Sequence, residues 1–216
     1  MPRYRIISAE DDLREGAQAL RRACPHMAAV LAETGLPPLR RRPNDFSGLA
    51  RIIVGQQLSV SSAAAIWGRT QALVRPFSPA GLLAQEPGAL RGCGLSAAKI
   101  RTLSALAQAI EEGALSLPAL ADADDDAVRE ALTMITGIGP WTADIYILFC
   151  LGRADGWAPG DLALQHAVRD ALGRQDRPAA AAMEDIAARW RPWRGVAARA
   201  LWAWYGIRRA RAANPA

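Results

Sequence analysis

The chain has 216 residues, a formal net charge of +5, 51% hydrophobic and 22% charged residues, and an isoelectric point near 9.7. That balance excludes a disordered, collagen-like or fibrous chain, and the length suits one large domain or two small ones sharing a core. The basic charge suggests a polyanionic partner, most often nucleic acid, although charge alone does not decide the point.

Helix signals dominate, with abundant alanine and few valines, isoleucines and threonines. Apolar positions recur at helical spacing from about Ala9 to Glu33, interrupted by Pro25. The stretch 35–46, GLPPLRRRPNDF, is rich in breakers. Asp45 or Ser47 then caps a long predicted helix running to about Val74. Pro76, Pro79 and Pro87 punctuate short elements, and Ser96 caps a helix closed by Gly113. Asp124 caps the next helix, Pro140 opens another in its first turn, and Asp161 starts a further one. Two last helices are predicted at about 179–190 and 194–211. No alternation long enough for a sheet is present, so the expected class is all-α with nine or ten helices.

Other sequence features narrow the chemistry. The longest apolar run, Ile145–Leu151, has seven residues, far short of the roughly 20 of a membrane span. The start MPRYRIISAEDD has no apolar stretch before its acids, so no leader is expected and the expected location is the cytoplasm. Cys24, Cys93 and Cys150 form no CxxC pair, which leaves neither a zinc site nor a four-cysteine iron–sulfur cluster. An odd, sparse set suits a reducing compartment. The positive charge is nearly all arginine, and Lys99 is the single lysine. High Arg, Ala and Gly look like the codon bias of a GC-rich genome, so the arginine excess is not itself functional evidence.

The most informative segment is Leu132 to Asp144, LTMITGIGPWTAD. It reads as helix, Gly-Ile-Gly, helix. Gly137 and Gly139 allow a tight hairpin with positive φ and let a flat surface approach the backbone. The amides of Gly139 and of the turn through Thr142 then form a helix N-terminus, which accepts a phosphate without base preference. About twenty residues further on, the loop Asp155-Gly156-Trp157-Ala158-Pro159-Gly160 ends at Asp161.

These blocks resemble the helix-hairpin-helix glycosylase superfamily of base-excision repair, in which such a hairpin precedes a Gly/Pro-rich loop and a catalytic Asp. The resemblance covers nearly the whole chain from about Pro43. Ile52-Ile53-Val54-Gly55-Gln56-Gln57-Leu58-Ser59 is similar to the family's helix–loop that probes the vacated base stack, and Gly94-Leu95-Ser96-Ala97-Ala98-Lys99 is a further family-like block. Arg191-Pro192-Trp193-Arg194 with Leu201-Trp202-Ala203-Trp204-Tyr205 resembles the closing helix of the alkylpurine, 3-methyladenine type II branch. The resemblance implies one 1–216 glycosylase unit of two helical subdomains flanking a cleft, about 45–150 and about 1–44 plus 151–216. The N-terminal β-rich domain of the familiar bacterial alkylbase enzyme is expected to be missing.

The same resemblance assigns roles. Bifunctional members carry a lysine after the hairpin proline, whose amine forms a Schiff base with the sugar. Trp141 stands there, so no lyase activity is expected. Asp161 becomes the catalytic carboxylate that stabilises the sugar cation or activates water; read locally, an Asp after Pro-Gly is simply an N-cap. Asp144, one turn from Trp141, is the competing acid. The base pocket is expected to hold Trp141 and Trp202, with Tyr146 and Trp204 as weaker members and Ile145 where the family has a tyrosine. Indoles suit a cationic, electron-poor purine, and seven tryptophans stand against three tyrosines and three phenylalanines. Trp67, Trp190 and Trp193 are expected in the core.

Gln57 and Leu58 are the residues expected to fill the gap left by a flipped base, and Gln56 to brace the loop. The carbonyls of Thr136 and Ile138, with Met134, are implied to hold a monovalent cation; no other cofactor is expected. Arg40–Arg42 and Arg208–Arg211 read as solvated faces, and His166 as packed or solvated. The expected protein is a monomeric, monofunctional glycosylase acting on alkylated purines such as 3-methyladenine and 7-methylguanine in double-stranded DNA. The alternatives are a glycosylase for deaminated or other damaged bases, a non-catalytic helix-hairpin-helix DNA-binding protein, and a small RNA-binding or tRNA-modifying domain.

Overall fold

The computed structural model describes residues 4–213. Among them are twelve α-helices and one isolated antiparallel bridge, Ile6 with Arg153. The class is all-α, as the alanine-rich helical periodicity requires. The helices are α1 (Glu10–Ala23), α2 (Pro25–Thr34), α3 (Phe46–Gly55), α4 (Val60–Leu73), α5 (Pro79–Leu83), α6 (Pro87–Gly92), α7 (Ala97–Glu111), α8 (Asp125–Thr133), α9 (Pro140–Tyr146), α10 (Leu162–Ala171), α11 (Ala180–Ala187) and α12 (Arg194–Ala213). None is long and apolar enough to cross a membrane.

The helix boundaries follow local chemistry. Asp45, Ser96, Asp124 and Asp161 each accept an amide of the first turn that follows them, which supplies one of the donors a helix start leaves unpaired. Pro25 and Pro140 occupy first-turn positions, where a missing N–H costs nothing. The single long helix expected from Asp45 to Val74 is two helices. Gln56–Ser59 separates them, Gln57 has φ +55°, and the Ser59 hydroxyl accepts from Ser62 N at 3.1 Å to start α4. The count exceeds nine or ten because of that break and because Pro79 and Pro87 each open a short helix.

The chain divides into two units, residues 42–151 and residues 1–41 with 152–216. In the unit 42–151, α3 is the central rod. Leu49, Ala50, Ile52, Ile53 and Val54 are each at most 2% exposed, and α3 packs against α4, α7 and α9. The hairpin of α8 and α9 is continued by a buried π-helical turn, Ile147–Leu151. In the other unit, α12 packs on α1, α2 and α10. Its core is unusually rich in indoles, with Trp157, Trp190, Trp193 and Trp204 buried together among leucines and alanines. Trp67, Trp190 and Trp193 are core residues.

Candidate functional site

In the unit that contains α10 and α12, the loop 152–161 is held at several points. Asp155 takes both Nε and Nη2 of Arg194 at 2.9 Å, and Nη1 of Arg191 at 2.9 Å. Trp157 is buried edge-on against Trp190, ring centroids 5.6 Å apart. Gln165, itself 4% exposed, donates from Nε2 to the Pro159 carbonyl at 2.8 Å and accepts from Arg177. The Asp161 amide donates to the Ala158 carbonyl. Asp161 therefore arrives at the start of α10 on a fixed backbone.

Its carboxylate is fixed as well. Oδ1 accepts from Leu164 N at 2.8 Å, the helix cap, and from Trp202 Nε1 at 2.9 Å. The cap and the catalytic candidate are thus one residue, and the indole of α12 adds a contact that capping does not need. Trp202 is partly buried against the core of this unit. Leu162, next to Asp161, is 61% exposed. A carboxylate held by two neutral N–H donors, partly buried beside an exposed apolar side chain, is suited to stabilising a nearby positive charge.

In the unit 42–151, α8 and α9 are joined by Met134–Gly139. Ile138 is 4% exposed and anchors the turn. Gly137 has φ +89°, and a Cβ there would lie 1.9 Å from Thr102 Oγ1. Gly139 has φ −99°, so only the first of the two glycines needs the left-handed region. Replacing Gly137 by Ala is expected to destabilise the protein by about 2–4 kcal/mol, from positive φ plus overpacking. Gly139→Ala has nothing within 4 Å of its Cβ and is expected to cost less than about 1 kcal/mol. Thermal denaturation of the two variants checks both figures.

The loop after α3 carries Gln57 and Leu58, both exposed. Gln56 braces it, donating from Nε2 to Thr142 Oγ1 at 2.8 Å. Beside it is a hollow of about 190 Å³ lined by Arg42, Arg51, Leu58 and Val60 among others. Lys99 reaches the same loop from α7.

Several sequence assignments need correction. Tyr146 is fully buried and donates its hydroxyl to Asn44 Oδ1. Burial, with Cys150 and Asp45 nearby, pushes its ionisation far above the ordinary phenol range. It is a core residue of the 42–151 unit, as is Ile145 at 7% exposure. Thr142 is 2% exposed, its hydroxyl accepts Gln56 and its amide bonds the Gly139 carbonyl, so neither group is turned outward. Trp204 is buried and donates to Glu33 at 2.6 Å. Trp141 is half-buried on α9 and Trp202 is half-buried on α12; they belong to different units.

Asp144, the competing acid, lies in the core of the 42–151 unit. It is 3% exposed and accepts Arg129 Nε at 2.7 Å. Burial opposes the Arg129 charge, but the hydrogen bond and charge of Asp144, with Asp125 and Asp126, outweigh it and hold the guanidinium proton more firmly than usual. Asp144 is the internal tie of the hairpin. Arg129 and Asn44 gave no sequence signal, since a partner fifteen or a hundred residues away leaves no local pattern.

The fold and this arrangement define a helix-hairpin-helix protein with a capped, indole-bound aspartate. Residues 50–192 match the model of the HhH-GPD superfamily of base excision DNA repair proteins, and the chain belongs to that family. A Mycobacterium tuberculosis protein named as a probable bifunctional transcriptional activator and DNA repair enzyme is 29% identical over 212 residues, 92% of this chain and 41% of its own. DNA-3-methyladenine glycosylase 2 of Escherichia coli is 32% identical over 170 residues, 73% of this chain and 56% of its own. The chain thus spans about two fifths to just over half the length of these curated relatives. The crystal structure of a DNA-3-methyladenine glycosidase from Bacillus halodurans is 31% identical and covers 96% of this chain and 94% of its own, with a TM-score of 0.75.

Proposed function

We propose that the protein is a monofunctional DNA glycosylase that hydrolyses the N-glycosidic bond of alkylated purines in duplex DNA, acting as a monomer. The observation that carries this reading is the Asp161 carboxylate, fixed by the Leu164 amide and the Trp202 indole at the end of the 152–161 loop.

The start of α9 receives a DNA phosphate through backbone N–H groups, beside Gly139. Gln57 and Leu58 take the place of the extruded nucleotide. Trp202, bonded to Asp161, offers an indole face to the base, which is cationic when alkylated at N3 or N7. Such a base is a good leaving group. The C1′–N bond breaks with its electron pair moving to the purine, which departs neutral, and the sugar becomes an oxocarbenium ion. Asp161 stabilises that cation. Water adds at C1′, loses a proton and leaves an abasic site. No lysine takes part, because the position after Pro140 is Trp141. Neutral oxygens suit a monovalent cation in the hairpin. Its 133–141 segment contains no acid, and the Thr136 and Ile138 carbonyls would hold such an ion, adding positive charge beside the phosphate.

Borohydride trapping on an abasic-site duplex tests the monofunctional assignment. The expected result is no covalent protein–DNA species and strand cleavage only after alkali. A trapped complex, or β-elimination without alkali, contradicts it.

A further inference from the structure

Lys99 lies in the first turn of α7, at the positive end of that helix's dipole, and is partly buried. Both features disfavour a lysine, and burial lowers its affinity for the proton. The reason for the placement is at the other end of the side chain. Nζ donates to the Val54 carbonyl at 2.7 Å and to the Gln56 carbonyl at 2.8 Å. These are among the last carbonyls of α3, where a helix is negative and its acceptors lack intrahelical partners.

The neighbouring carbonyls are used locally. Ile53 O accepts from Gln56 N, and Gly55 O accepts from Leu58 N. Lys99 therefore completes an unbroken set of four bonded carbonyls from Ile53 to Gln56. The Gln56 side chain adds the tie to Thr142. The next residue, Gln57, is the one non-glycine with positive φ among the described residues. Such a conformation costs about 1 kcal/mol or more and persists only when its flanks are fixed.

We propose that Lys99 is a positioning residue for lesion recognition: it holds the Gln57–Leu58 tip in the conformation that enters the helix where a nucleotide has left. This rests on the glycosylase reading above. It predicts a defect confined to DNA with a gap in its stack. Lys99→Met has a similar length and no donor. Its preference for a duplex carrying a tetrahydrofuran abasic analogue over the undamaged duplex is expected to fall by about tenfold, the scale of a lost charged hydrogen bond. Affinity for the undamaged duplex stays within about twofold of wild type. In a Gln57→Ala, Leu58→Ala background the further loss from Lys99→Met is expected to be under about threefold, because the tip it positions is gone.

Equal losses on both duplexes, wild-type discrimination in Lys99→Met, or a full tenfold loss in the tipless background each overturn the proposal. If Lys99→Met does not fold, the folded wild-type protein is reductively methylated. Lys99 is its only lysine, and the dimethylated amine keeps its charge but one donor. A similarly treated Lys99→Arg protein controls for the N-terminal amine. Reduced discrimination is expected; unchanged discrimination with Lys99 shown dimethylated by mass spectrometry overturns the proposal. Absence of any abasic-site preference in wild type tells against the glycosylase reading instead, whereas preference in wild type shared by Lys99→Met sinks only the role of Lys99.

Discussion

Asp161→Asn is expected to lower the single-turnover rate of base release by at least about a hundredfold, the scale of losing one preorganised electrostatic contact to a transition-state charge. The substitution is nearly silent for the fold. Asn is as good an N-cap as Asp, so the bond from Leu164 N survives. The amide oxygen still accepts from Trp202 Nε1. Only the negative charge disappears. Stability is expected to change by less than about 1 kcal/mol, and binding to an abasic-analogue duplex stays near wild type. Asp161→Ala loses the cap as well and adds about 1 kcal/mol of destabilisation. The pair of variants separates the two roles of one residue: Asn removes the chemistry, while Ala removes chemistry and cap together. Single-turnover kinetics and thermal melts on both variants check the outcome.

Asp144→Ala is expected to do the opposite. It removes the partner of a half-buried guanidinium and costs about 2–4 kcal/mol, somewhat under the loss seen for fully buried pairs because Arg129 keeps some solvent and Asp126. For a protein of this size that lowers the melting temperature by roughly 5–15 °C. Its activity at a temperature where it remains folded is expected to stay within about tenfold of wild type, since Asp144 is buried and already paired. The double variant Arg129→Met with Asp144→Leu is expected to recover most of the stability, as apolar replacements of buried pairs do. Differential scanning calorimetry on the single and double variants reads this directly. A cold-active but heat-labile Asp144→Ala beside a stable but inactive Asp161→Asn would divide the two aspartates into tie and catalyst.

What the residues alone disclosed depended on how local the cause was. Caps and punctuation act within one turn, and Ser96, Asp124, Pro140 and Asp161 all sit where their side chains require. The all-α class follows from composition and spacing for the same reason. The break at Gln56–Ser59 was invisible to helical periodicity because Leu58 keeps the helical i+4 spacing from Val54. It is made by a tertiary contact, the Lys99 amine on two carbonyls, and by a backbone conformation no side-chain pattern encodes. The resemblance to a known helix–loop pointed to it where periodicity did not.

The candidate site divides in the same way. Asp161 and Trp202 lie forty-one residues apart and are joined by a hydrogen bond that only the fold could bring together, although the family-like blocks named both. Tyr146 and Ile145 share a helix with Trp141, yet a helix has a buried side as well as an open one. The polar residues next to Trp141 on that helix, Thr142 and Asp144, are themselves buried, so polarity did not mark which residues face inward. Thr142 illustrates the point: a hydroxyl beside a Gly-x-Gly turn invites a phosphate contact, but this one is turned into the core by Gln56.

The central claim is tested most directly by incubating the purified wild-type protein with methylated duplex DNA and identifying the bases released by chromatography. Release of 3-methyladenine or 7-methylguanine, with a matching number of alkali-labile sites and none from Asp161→Asn, is the predicted result. Intact duplex binding with no alkylated purine released by wild type would contradict it.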